Sequence, residues 1–62
     1  MMNLDNGIRL SLDRLRETPT TSLNELFRFL RKKKFAPKDA AKILEELLNN
    51  ADRYGLDIHT LQ

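Results

Sequence analysis

Ser22-Leu23-Asn24-Glu25-Leu26-Phe27-Arg28-Phe29-Leu30-Arg31-Lys32-Lys33-Lys34-Phe35-Ala36-Pro37 is the stretch whose reading decides the fold. Ser22 and Glu25 have capping-box spacing, in which each side chain can satisfy an orphan backbone N–H at a helix start. Leu23, Leu26, Phe27 and Leu30 then form one apolar stripe. Phe29 stands on its flank, about 60° round from Leu26 at about 100° per residue. Asn24, Arg28, Arg31 and Lys32 fall on the opposite face. The spacing predicts a helix over residues 22–34. Phe35-Ala36-Pro37 reads as a tight connection, with Pro37 in the first turn of the next helix, where its missing N–H has no partner to lose.

Working outward towards the C-terminus, Asp39 falls in that first turn, where the helix dipole favours an acid. Ala40, Leu44, Leu47, Ala51 and Tyr54 step four, three, four, three, a heptad seam too short to establish a coiled coil. Ile43, Leu44, Leu47 and Leu48 are the expected core of this helix. Gly55 reads as its left-handed stop, with Leu56 folding back as the usual apolar companion. The prediction is one helix over residues 37–54, antiparallel or steeply crossed with its predecessor because the connection is so short.

Towards the N-terminus, Leu4, Ile8, Leu12 and Leu15 share a helical face, and Thr18-Pro19 ends the segment because a residue before proline avoids the α region. Two features count against this helix. Gly7 sits near its first turn, and Ile8, Leu10 and Leu12 alternate with Arg9, Ser11 and Asp13 as an amphipathic strand would. A lone short strand has no partner within the chain, so helix over residues 5–17 is the preferred reading and a strand would require a second molecule. Thr18-Pro19-Thr20-Thr21 reads as a polar linker. The expected fold class is therefore all-α: a compact three-helix domain occupying residues 1–62, with residues 1–4 and 57–62 frayed or loosely packed.

The composition agrees. Of 62 residues, 40% are hydrophobic, twelve are leucine and none is valine. Unbranched side chains lose little rotamer freedom in a helix, whereas strands prefer β-branched ones. With no cysteine, disulfides, zinc–thiolate sites, iron–sulfur clusters and thiol nucleophiles are excluded. Uninterrupted apolar runs do not exceed a pair of residues, so no membrane span is expected. Met1–Asp5 lacks a basic region followed by an apolar stretch, and a cytoplasmic location is the expectation.

Charge is unevenly placed. The net is +2, but residues 28–42 carry seven cations against Asp39 alone, while the rest of the chain is net −4. Arg28, Arg31, Lys32, Lys38 and Lys42 are the candidate ridge for an anion or a partner. Cations at a helix end also complement the dipole and need no ligand to explain them. Leu10, Phe29 and Tyr54 lie off the stripes and are the candidate apolar interface.

Catalytic signals are weak. His59 has only Asp57 beside it, whereas a metal needs three or more ligands. Glu45 and Glu46 are adjacent on a helix and point about 100° apart. The serines and threonines lack a nucleophile-elbow pattern, and the glycines lack a phosphate loop. No catalytic, cofactor or metal residue is expected, and no enzyme activity.

What remains is a non-enzymatic helical module, an adaptor, inhibitor or regulator, binding a protein partner through helix faces and self-associating as a homodimer. A 62-residue fold buries only about 60% of its unfolded surface, which makes self-association a natural way to cover Leu10 and Phe29. The alternative is a small DNA- or RNA-binding regulator using the Arg28–Lys42 ridge. In a helix-turn-helix geometry the second helix would present Lys38, Asp39, Lys42 and Glu45 to base edges, but two of these four are acidic. A ribbon-helix-helix geometry would project Arg9 and Ser11 from a paired strand, which demands the less favoured strand reading.

Overall fold

A computed structural model describes residues 4–57, and among them there is no strand. Of the ends expected to be loose, 1–4 and 57–62, residues 1–3 and 58–62 lie outside the described residues, whereas Leu4 opens the first helix. Helices α1 (Leu4–Glu17), α2 (Leu23–Lys32) and α3 (Pro37–Asn49) pack on one another, and a single turn, α4 (Ala51–Tyr54), follows. The all-α reading holds, and Ile8–Leu12 is helical. The described residues measure 30 × 19 × 17 Å.

Local chemistry accounts for the α2 start. The Glu25 backbone N–H donates to Ser22 Oγ at 3.3 Å, as the capping box requires. The reciprocal arm differs from the expectation, because the Glu25 carboxylate accepts from the Ser22 hydroxyl at 3.2 Å rather than from its backbone N–H. Pro37 occupies the start of α3 as expected.

The α2 end is a correction. The helix stops at Lys32, two residues short of the expected end, and Lys34 takes a left-handed conformation with φ 73°. Phe35 N–H donates to Leu30 O and Lys34 N–H to Arg31 O, at 3.1 and 3.0 Å. That pair of bonds is a Schellman closure, normally built on glycine. Phe35 and Leu30 are both buried, the apolar pair that accompanies the motif. Gly55 (φ 69°) repeats the closure after α4, with Leu56 N–H donating to Ala51 O and Gly55 N–H to Asp52 O. Phe35, read as a connector, is 1% exposed and among the largest fully buried side chains.

The predicted continuous helix over 37–54 is also interrupted. Asn50 (φ −122°, ψ 30°) separates α3 from α4. Its side-chain Nδ2 donates to Glu46 O at 3.1 Å and to Glu46 Oε1 at 2.9 Å. Asparagine competes in this way for the backbone groups that a helix would use. The buried stripe on α3 and α4 is Ala40, Ile43, Leu47 and Ala51, while Leu44 and Leu48 are only half-buried. Ile43 therefore replaces Leu44 in the expected seam.

The inner face of α1 is Gly7, Ser11 and Leu15. It is rotated roughly 50° from the expected leucine stripe, at about 100° per residue. Ile8 and Leu12 are half-buried and Leu4 is 37% exposed. The cause is close approach. A Cβ on Gly7 would overlap Ile43 Cδ1 and come within 3.1 Å of Ile43 Cγ1 and Phe35 Cε1. Ser11 is fully buried, and its hydroxyl donates back to Gly7 O at 2.9 Å. Gly7 and Ser11 thus let α1 lie against α3, and the glycine that counted against the helix is the residue that docks it.

The linker is structured too. Thr21 is 1% exposed, and both its N–H and its hydroxyl donate to Thr18 O, at 3.1 and 2.7 Å. No buried polar side-chain atom among the described residues lacks a partner.

Candidate interaction surface

Phe29 is carried on the flank of α2 that turns towards α1, where it is half-buried. Two cations stand over its ring. The Arg14 guanidinium carbon, from α1, is 5.8 Å from the ring centroid, and Lys33 Nζ, just past α2, is 5.5 Å away. Such contacts are each worth about 0.5–1 kcal/mol at exposed sites and hold long side chains in place.

Two shallow grooves meet at this ring. One, of about 270 Å³, is lined by Arg14, Glu25, Arg28, Phe29 and Lys32. The other, of about 220 Å³, is lined by Leu10, Asp13, Arg14, Glu17, Phe29 and Lys33. Their electrostatics differ. The first has three cations against Glu25, whose carboxylate is already engaged by Ser22. The second balances Arg14 and Lys33 against Asp13 and Glu17.

The structure distributes the five ridge candidates. Arg28 and Lys32 come together beside Phe29. Arg31 reaches back across the turn, where its Nη1 donates to Phe35 O at 3.0 Å. Lys42 lines a separate cleft of about 370 Å³ between α1 and α3, with Leu4, Asp5, Ile8, Ile43, Glu45 and Glu46. Lys38 is exposed at the start of α3. Of the apolar candidates, Leu10 and Phe29 share a groove, whereas Tyr54 is half-buried on α4.

Arg14 is not among the sequence candidates, and Lys33 enters there only as one of the seven cations of residues 28–42. Arg14 lies in α1, outside the cationic run of residues 28–42, and its approach to Phe29 depends on how α1 crosses α2. A weak signal existed: Leu10 and Arg14 are four apart and share a helical edge.

Among the described residues, no group of three or more histidine, cysteine, aspartate or glutamate side chains could hold a metal ion. His59 lies outside the described residues. No described helix is long and apolar enough to cross a membrane. Compared with protein-family models, curated proteins and solved structures, the chain matches none.

Proposed function

We propose that this chain is a small non-enzymatic interaction module that binds a protein partner through the α1–α2 face. The observation that carries the reading is the half-buried Phe29 with Arg14 and Lys33 over its ring, at the junction of two grooves. An aromatic anchor beside arginines, here Phe29 with Arg14 and Arg28, is a common composition for a binding surface, because it combines contact area with directional charge. The nucleic-acid alternative needs Arg28, Arg31, Lys32, Lys38 and Lys42 to act as one ridge. Arg31 is engaged with Phe35 O, and Lys42 sits in a cleft with Glu45 and Glu46, so the protein reading is the better supported. A cysteine-free composition suits a reducing, cytoplasmic setting.

The test is photo-crosslinking in the native cell, with the reactive residue placed at Arg28 beside the groove or at Glu45 on α3. The expected result is one defined protein adduct from position 28, suppressed by excess unlabelled chain and missing from position 45. Adducts with nucleic acid alone would refute the reading. An adduct with a second copy of the chain, together with a dimer in sedimentation velocity, would identify the partner as the chain itself.

A further inference from the structure

We infer that the segment docking on the α1–α2 face is an acidic stretch of polypeptide. It lies along the C-terminal half of α2, with its carboxylates paired to Arg14, Arg28 and Lys32 around Phe29, and it continues to Lys34 at the turn. This rests on the interaction reading above and adds the partner's chemistry.

Three observations point the same way. First, the groove beside Phe29 has three cations from two helices against one acid, Glu25, so positive charge is in excess there. A neutral or cationic occupant would leave that field uncompensated. Second, Arg14 and Lys33 already stand over the ring. A nucleobase would have to displace them to stack, which removes the usual source of single-strand affinity. A carboxylate meets the same cations edge-on, with Phe29 limiting the rotamer freedom that pairing would otherwise cost. Third, Lys34 is a cation in a left-handed position where glycine is the easy residue. Backbone strain of this kind concentrates where a side chain is needed. Lys34 is exposed and directly follows Lys32 and Lys33, so it prolongs the cationic track off the end of α2. Asp13 and Glu17 border the other groove and repel an acidic chain from that side, which sets the direction of the track.

The experiment is an NMR titration of the full chain, at low ionic strength, with an oligoglutamate peptide. Separate titrations use duplex DNA and vesicles containing anionic lipid. The expected shifts cluster at Arg14, Arg28, Phe29 and Lys32–Lys34 on adding the peptide. Combined Arg14→Glu and Lys32→Glu changes should weaken binding about tenfold, equivalent to about 1.4 kcal/mol, while Lys38→Glu with Lys42→Glu leaves it unchanged. Lys34→Gly should weaken binding several-fold although the protein melts at a higher temperature. The inference is overturned if the peptide causes no shifts, if the shifts map to Lys38 and Lys42, or if DNA or vesicles bind the same residues more tightly. A crosslinked protein partner that docks through a segment without acidic residues would sink this inference and leave the interaction function standing. The absence of any protein adduct would remove the function itself.

Discussion

Gly7 shows how much one missing methyl group can decide. In an exposed helix interior, glycine to alanine is favourable by about 1 kcal/mol. Here the added Cβ meets Ile43 and Phe35, which are 0% and 1% exposed and packed in the core. Overpacking of this kind costs about 1–3 kcal/mol, so Gly7→Ala should be destabilising on balance, by about 1 kcal/mol. Chemical denaturation would measure it. Ile43→Val removes the Cδ1 atom in the way, so the double variant should be less destabilised than the sum of the two single changes. Strict additivity would mean that Gly7 does not set the α1–α3 approach. Lys34 is the opposite case. Glycine there removes a left-handed strain of about 1–2 kcal/mol for a side-chain-bearing residue, offset by its greater freedom when unfolded. Lys34→Gly should therefore raise stability by up to about 1 kcal/mol, and a lower melting temperature would contradict the strained turn.

Within single elements, the informative feature is the break between α3 and α4. Asn50 N–H already donates to Glu46 O, and Tyr54 N–H to Asn50 O, at 3.1 and 3.2 Å. These are helical i to i−4 bonds, so the interruption is mild. Asn50→Ala removes the side-chain competition for Glu46 O and adds a better helix former. The expected outcome is a continuous helix, with more negative far-ultraviolet ellipticity and stability higher by a few tenths of a kcal/mol, in line with the difference in propensity. A clear loss of stability would show instead that Ala51, 3% exposed, depends on the bend to reach the core. In α2, the Ser22 cap, the leucine stripe and the terminal cations agree with one another, so its start is legible from local chemistry. Its end is not, because the closure on Lys34 uses a residue type that carries no stop signal.

For the whole molecule, α3 is the element against which α1 and α2 both pack. Leu47, near the C-terminal end of α3, is 0% exposed. Leu47→Ala should cost about 2–5 kcal/mol, from lost transfer energy and a residual cavity. A domain this small has a total stability of that order, so the variant should be largely unfolded at room temperature by circular dichroism. A cooperative transition at the wild-type temperature would remove Leu47 from the core. Polarity is also organised at this scale. Of the cations of residues 28–42, Arg28 and Lys32 line a groove beside Phe29, while Lys42 lines the α1–α3 cleft together with Glu45 and Glu46 of its own helix.

What the chain determined by itself is everything set within a turn or two: the helix class, the Ser22 start, Pro37 opening α3 and Gly55 closing α4. Caps, proline and glycine act through backbone groups only a few residues away, so their effects are written locally. What only the tertiary structure decided is which face of each helix turns inward and what meets across it. Gly7 is a helix-breaking signal by propensity and becomes a docking residue only because Ile43 and Phe35 lie against it. Phe35 is a connector by position and a core residue because the Schellman closure folds it back over Leu30. Arg14 is one of three arginines matched by three acids along α1 until α1 crosses α2 and sets it over Phe29. Contacts between residues far apart in the chain depend on how helices of fixed shape pack together, and that choice is made by the fit of whole surfaces rather than by any local pattern.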